Sequence, residues 1–181
     1  AGGHSHQAWS DVYYASSHDG GKTFSTPLRV NAADGEVWGF SVSKPAVGVS
    51  AAGTVHVSYP ANEISDTSGK PVAVMHYVRS VDGGKTFSRP LRLNPNPPED
   101  LSAAVHGGLA QAQAFATMSV SANGQVYVAW LDTRVMTTQS SVSSTYMAIS
   151  RDDGKTWEPE HEAFGAESCP CCQLTSTIGT A

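Results

Sequence analysis

Charge, cysteine and long apolar runs are all scarce in this chain, and each scarcity removes a class of function. Only 15% of its 181 residues are charged, the formal net charge is −5 and no basic run occurs, which argues against a nucleic-acid surface. No apolar stretch approaches the roughly 18 residues of a membrane-spanning helix. The three cysteines all fall between Cys169 and Cys172, so no disulfide among them can staple distant parts of the chain. No Asn-x-Ser/Thr acceptor for an N-linked glycan occurs. The chain begins abruptly at Ala1, so the lack of a leader there excludes nothing. A phosphate-binding P-loop is missing as well: Gly-Lys-Thr recurs, but the positions where that motif needs its first Gly hold Ser16, Arg79 and Ile149.

What the chain does have is turn chemistry. Its 17 Gly and 10 Pro suit an all-β protein rich in turns. One eight-residue pattern occurs three times: Ser17-His18-Asp19-Gly20-Gly21-Lys22-Thr23-Phe24, Ser80-Val81-Asp82-Gly83-Gly84-Lys85-Thr86-Phe87 and Ser150-Arg151-Asp152-Asp153-Gly154-Lys155-Thr156-Trp157. The Asp positions stand 63 and 70 residues apart, a spacing that suits one four-stranded unit per copy. Each copy reads as a turn in which the Asp accepts backbone N–H groups, Gly supplies the positive-φ corner and Thr ties the outgoing chain back. The aromatic residue that ends each copy, Phe24, Phe87 or Trp157, is expected to re-enter the apolar interior as an anchor.

The pattern S-x-D-x-G-x-T-[W/F] resembles the Asp-box, or bacterial neuraminidase repeat, of the sialidase-like β-propellers. That resemblance implies an all-β propeller of four-stranded antiparallel blades, six when complete. It makes Ser17, Asp19, Gly21, Thr23 and Phe24, Ser80, Asp82, Gly84, Thr86 and Phe87, and Ser150, Asp152, Gly154, Thr156 and Trp157 structural rather than catalytic.

Alternating strands and turn signals divide the chain accordingly. Residues 1–31 read as the second half of a blade, 32–94 and 95–163 as full blades and 164–181 as the start of another. Val120 to Val128 repeats Val49 to Val57 after 71 positions. An arc of roughly two and three-quarter blades leaves sheet faces and edges open, so a longer chain or other subunits are expected to close the ring.

Loops of an antiparallel blade alternate between its two ends. The boxes and the joins between strands one and two share one end; the joins between strands two and three and between blades share the other. In the proteins this chain resembles, that second end bears the substrate pocket. The residues it collects here are His4, His6, Trp9, Glu36, Trp38, Asn62, Glu63, Asp66, His106, Asp132 and Arg134, with Cys169, Cys171 and Cys172. His56, His76 and His161 fall within strands and read as packed or rim histidines.

The family's catalytic set is an arginine triad, an Asp acid/base and a Tyr–Glu pair. Its Phe/Tyr-Arg-Ile-Pro motif is absent from this sequence, and Arg134 is the only arginine placed convincingly on the pocket face. Asp132 and Arg134 read as a local ion pair or as a clamp for a carboxylate. Cys169 and Cys172 have C-x-x-C spacing, which suits a disulfide or a soft metal; His4, His6 and His106 could join a Cu or Zn site if the fold brings them together. No cofactor is otherwise required. Two functions follow. The first is a non-catalytic module that binds a glycan, a protein or a metal-bearing partner through its top face, secreted or periplasmic, with no nucleic acid and no membrane span. The second is an exo-sialidase-type glycoside hydrolase.

Overall fold

The computed structural model describes residues 9–32, 37–38, 44–64, 71–94, 113–132 and 144–164. Among them there is no helix, and every strand pairing is antiparallel. The first unit is a narrow ribbon in which β1 (Trp9–Ser10) pairs with β4 (Val37–Trp38) and β2 (Tyr13–Tyr14) with β3 (Leu28–Arg29). A four-stranded sheet follows, built in sequence order from β5 (Ala46–Val49), β6 (Val55–Ile64), β7 (Pro71–Ser80) and β8 (Leu91–Arg92). The third unit repeats it with β9 (Gln113–Val120), β10 (Val126–Asp132), β11 (Ser144–Ser150) and β12 (His161–Phe164).

The three units stack face to face, and the middle sheet is buried on both sides. One face of β6 and β7 puts Val55, Val57, Tyr59, Ala61, Val74 and Val78 against Val12 and Val30 of the first unit. The opposite face puts Met75 and Tyr77, together with Leu93, against Val126, Val128, Trp130 and Ala148 of the third. In β10 burial alternates strictly, because only the face toward the middle sheet is covered by described residues. Gly48 lets β5 and β9 approach closely: a Cβ there would lie 2.5 Å from Val120 Cγ2.

Pro60 sits inside β6 without breaking the ladder. Its partner Met75 turns both its N–H and its C=O toward the β8 side, where they meet Asn94 and Leu93. Pro60 is also beyond the end of β5, whose register stops at Ser58, so its missing N–H has no ladder to serve.

Strand order puts the boxes and the tight turns at Gly53 and Gly124 at one end, and the β6–β7 and β10–β11 joins at the other. The contact from Asp153 N–H to the Gly124 carbonyl, 2.9 Å, shows two of these turns meeting. Two features differ from the sequence reading. β6 runs on to Ile64, so Asn62 and Glu63 belong to a strand and not to a join. Phe24 is 66% exposed rather than interior. Phe87 and Trp157 each pack edge-on against a tyrosine of the preceding unit, Tyr14 and Tyr77, and no described residue supplies that tyrosine for Phe24.

Candidate functional site

The three boxes share one hydrogen-bond pattern. In the second, Ser80 Oγ donates to Asp82 Oδ1 at 2.6 Å and accepts from Gly84 N–H at 2.8 Å. Asp82 Oδ1 also accepts Lys85 N–H and Thr86 N–H, both at 3.0 Å, while Thr86 Oγ1 donates to Oδ2 at 2.6 Å. Asp19 and Asp152 make the same bonds within their own boxes. These donors hold the carboxyls below the usual carboxylate range: Thr23 leads at Asp19, Ser80 at Asp82, and Thr156 at Asp152, which falls to about 2. A carboxylate so fully engaged is unsuited to acid–base chemistry near neutrality.

The third box departs from the others at one residue. Asp153 stands where the first two have Gly20 and Gly83, and it keeps their left-handed backbone, with φ 62° against 75° for both glycines. Its side chain reaches the middle sheet. Thr54 Oγ1 donates to Oδ2 at 2.5 Å, and His56 Nε2 lies 3.2 Å from Oδ1. Arg79 Nη1 donates to the Asp153 carbonyl at 3.2 Å, and His56 Nδ1 is 2.6 Å from Tyr77 Oη. His56 and Tyr77 are buried in this joint, with Gly154 directly over the phenol, and Asp153 is partly exposed at its edge.

At the opposite end, Asp132 closes β10 and is wholly buried, as is its register partner Ser144. Trp130 Nε1 donates to Asp132 Oδ2 at 3.3 Å. In the middle sheet Glu63 is held between His76 Nε2, at 2.5 Å, and the Arg92 guanidinium. Partial burial pushes the Glu63 carboxyl up, but bonds from Arg92 and His76 outweigh it and the net direction is down. In the first unit Trp9 and Trp38 are directly opposite in register, at the end of the ribbon away from its box.

Asp132, Glu63, Trp9 and Trp38 are thus the candidates that fall on described residues of known register, with the backbone of Asn62. They lie on three different units, and the two tryptophan positions are paired with each other in register. His4, His6, Glu36, Asp66, His106, Arg134, Cys169, Cys171 and Cys172 lie outside the described residues. Among the described residues no three His, Cys, Asp or Glu side chains cluster as a metal site. The strand histidines divide: His56 and His76 are buried, whereas His161 is exposed.

Two features escaped the sequence reading. Asn31 and Asn94 follow matching Pro-Leu-Arg-x-Asn segments and accept the Val12 and Met75 N–H groups at 2.8 and 2.7 Å, finishing the ladder where each outer strand ends. That repeated segment was a visible signal. The Asp153–His56–Tyr77 joint had a fainter one, a non-glycine at a position that two other copies keep as Gly.

Comparison with known families agrees with this picture at one place: residues 148–159 match the model of the BNR/Asp-box repeat family. A search of characterised proteins returns no match. The third box is therefore a BNR/Asp-box repeat, carried on an all-β scaffold.

Proposed function

We propose that the chain is an arc of a sialidase-like β-propeller, with blades at 1–31, 32–94, 95–163 and from 164, the strand Val37–Trp38 reaching back to pair with the first of them, and that it is a secreted or periplasmic binding module. On this reading it takes a glycan or protein partner through the end opposite the boxes and does not hydrolyse it. The supporting observation is the division of the carboxylates. Those of the boxes are consumed by their own turns, whereas Asp132 is buried at the far end of β10 over Trp130. That carboxylate accepts the Trp130 indole N–H, so the far end of β10 carries an acidic group that no box turn uses, which supports reading that end as the recognition end. Remaining blades, from the same or another chain, would close the ring.

The BNR/Asp-box match supports one rival, an exo-sialidase-type hydrolase that uses Asp132 or Glu63 with residues elsewhere. The two separate in one experiment. Wild type and Asp132→Asn are screened against sialylated and neutral oligosaccharides and assayed with a fluorogenic sialoside. The module reading expects no turnover, and glycan binding weakened at least about tenfold in the variant with its unfolding midpoint kept. Turnover that Asp132→Asn abolishes would establish the hydrolase instead. Binding of Cu or Zn by the Cys169, Cys171 and Cys172 group with His4, His6 or His106 is tested by elemental analysis, where a stoichiometric metal is the supporting result and a Cys169–Cys172 disulfide without metal ends the idea.

A further inference from the structure

We infer that the joint between the second and third sheets is an acid-released latch, in which the neutral imidazole of His56, bonded to Tyr77 and set against Asp153, lets go on taking up a proton. The geometry sets the protonation pattern. Tyr77 is buried, and burial pushes its phenol well above the usual range, so it keeps its proton; with the Asp153 carboxylate facing Nε2, Nδ1 is left to accept the phenol O–H at 2.6 Å. The imidazole proton then sits on Nε2, 3.2 Å from the Asp153 carboxylate.

A second proton must go to Nδ1, which faces an O–H that is already donating. For Nδ1 to donate instead, the phenol proton must turn away from it, and packing beside that oxygen is close: a Cβ on Gly154 would come within 1.8 Å. The groups facing the ring from the neighbouring elements are Tyr77 and Arg79 on β7 and Asp153 in the third box, with Asp152 beside it, while Ser50 and Thr54 on its own hairpin do not titrate. Burial of the ring is the largest influence; Asp153 opposes it and Arg79 reinforces it, and the balance keeps His56 below the ordinary histidine range.

The joint between the first and second units also sets a box glycine, Gly84, against a tyrosine, Tyr14, but among the described residues its box has no counterpart of the Asp153 side chain. Gly83 stands where the third box has Asp153, and Tyr14 meets Phe87 edge-on, with ring centroids 5.3 Å apart. The second box is therefore without the Asp153–His56 contact that ties the third to the middle sheet. The Thr54, His56 and Arg79 contacts also account for an aspartate at a left-handed position that costs a non-glycine residue strain.

Amide hydrogen exchange on the whole chain, at about pH 7.5 and about pH 5 and corrected for the intrinsic rates, tests the latch. In acid the third box is expected to open several-fold more than the second, and His56→Gln is expected to remove that difference. Equal responses of the two boxes, or a response that survives in His56→Gln, would overturn the latch. Should His56→Gln fail to fold, NMR titration of the wild-type imidazole decides: a His56 that is neutral, protonated on Nε2, and titrates below ordinary histidine supports it, and one that titrates above sinks it.

Discussion

Residue chemistry at the box end depends on what lies above each glycine. Gly83 and Gly154 both have φ of 75°, yet a Cβ on Gly83 would meet nothing within 4 Å and one on Gly154 would strike the buried Tyr77 hydroxyl. Gly83→Ala therefore suffers backbone strain alone, about 1–2 kcal/mol. Gly154→Ala adds a clash inside a closed joint and is expected to cost at least about 3 kcal/mol. Urea unfolding of the two variants checks the difference; equal losses would mean that Gly154 is not packed as described. Gly154, Asp82 and the other box positions were legible in the sequence because turn chemistry is local, whereas the Tyr77 ring over Gly154 was not.

Among the elements, the outer strands β3 and β8 are only two residues long, and each is extended by a side chain rather than by more ladder. Asn94 is wholly buried and supplies the acceptor for Met75 N–H. Asn94→Ala leaves that amide unpaired and is expected to lose about 1–3 kcal/mol. Asn31→Ala should behave alike, since Asn31 accepts from Val12 in the same way and also donates to Asp11 Oδ1 at 2.8 Å. Unfolding midpoints that do not move would show that water satisfies these groups. The sequence marked the strands well, but it left the end of β6 too early. The polar Asn62 and Glu63 read as part of the join, and the ladder to β7 with the Glu63 contacts to His76 and Arg92 keeps them in the sheet.

For the whole molecule, two sets of groups make acid destabilising in separate windows. His56 has a native pKa below its unfolded value of 6.5, so its contribution is complete above that value and is lost as pH falls from it toward the native value. Asp19, Asp82 and Asp152 are also depressed in the folded state, so their contribution is present above the unfolded value of 3.8 and is lost as pH falls from there, through about 2 for Asp152. Thermal melts across pH should show an early decline removed by His56→Gln and a later one retained by it. A single decline starting only below the carboxylate range would count against the first window.

The division between local and distant information runs through all three scales. Each box bonds residues no more than four positions apart, so the order of amino acids suffices to place the turns, the intervening strands and the end of the sheets at which the boxes lie. The clasp between Thr54 and Asp153 joins residues 99 apart, and nothing in either neighbourhood names the other. Folding brings them together because the middle sheet has an apolar surface on both sides and must be covered on both, which presses the third box onto β6 and β7. That burial, and not any local pattern, set Asp153 against His56 and left Asp132 enclosed at the other end.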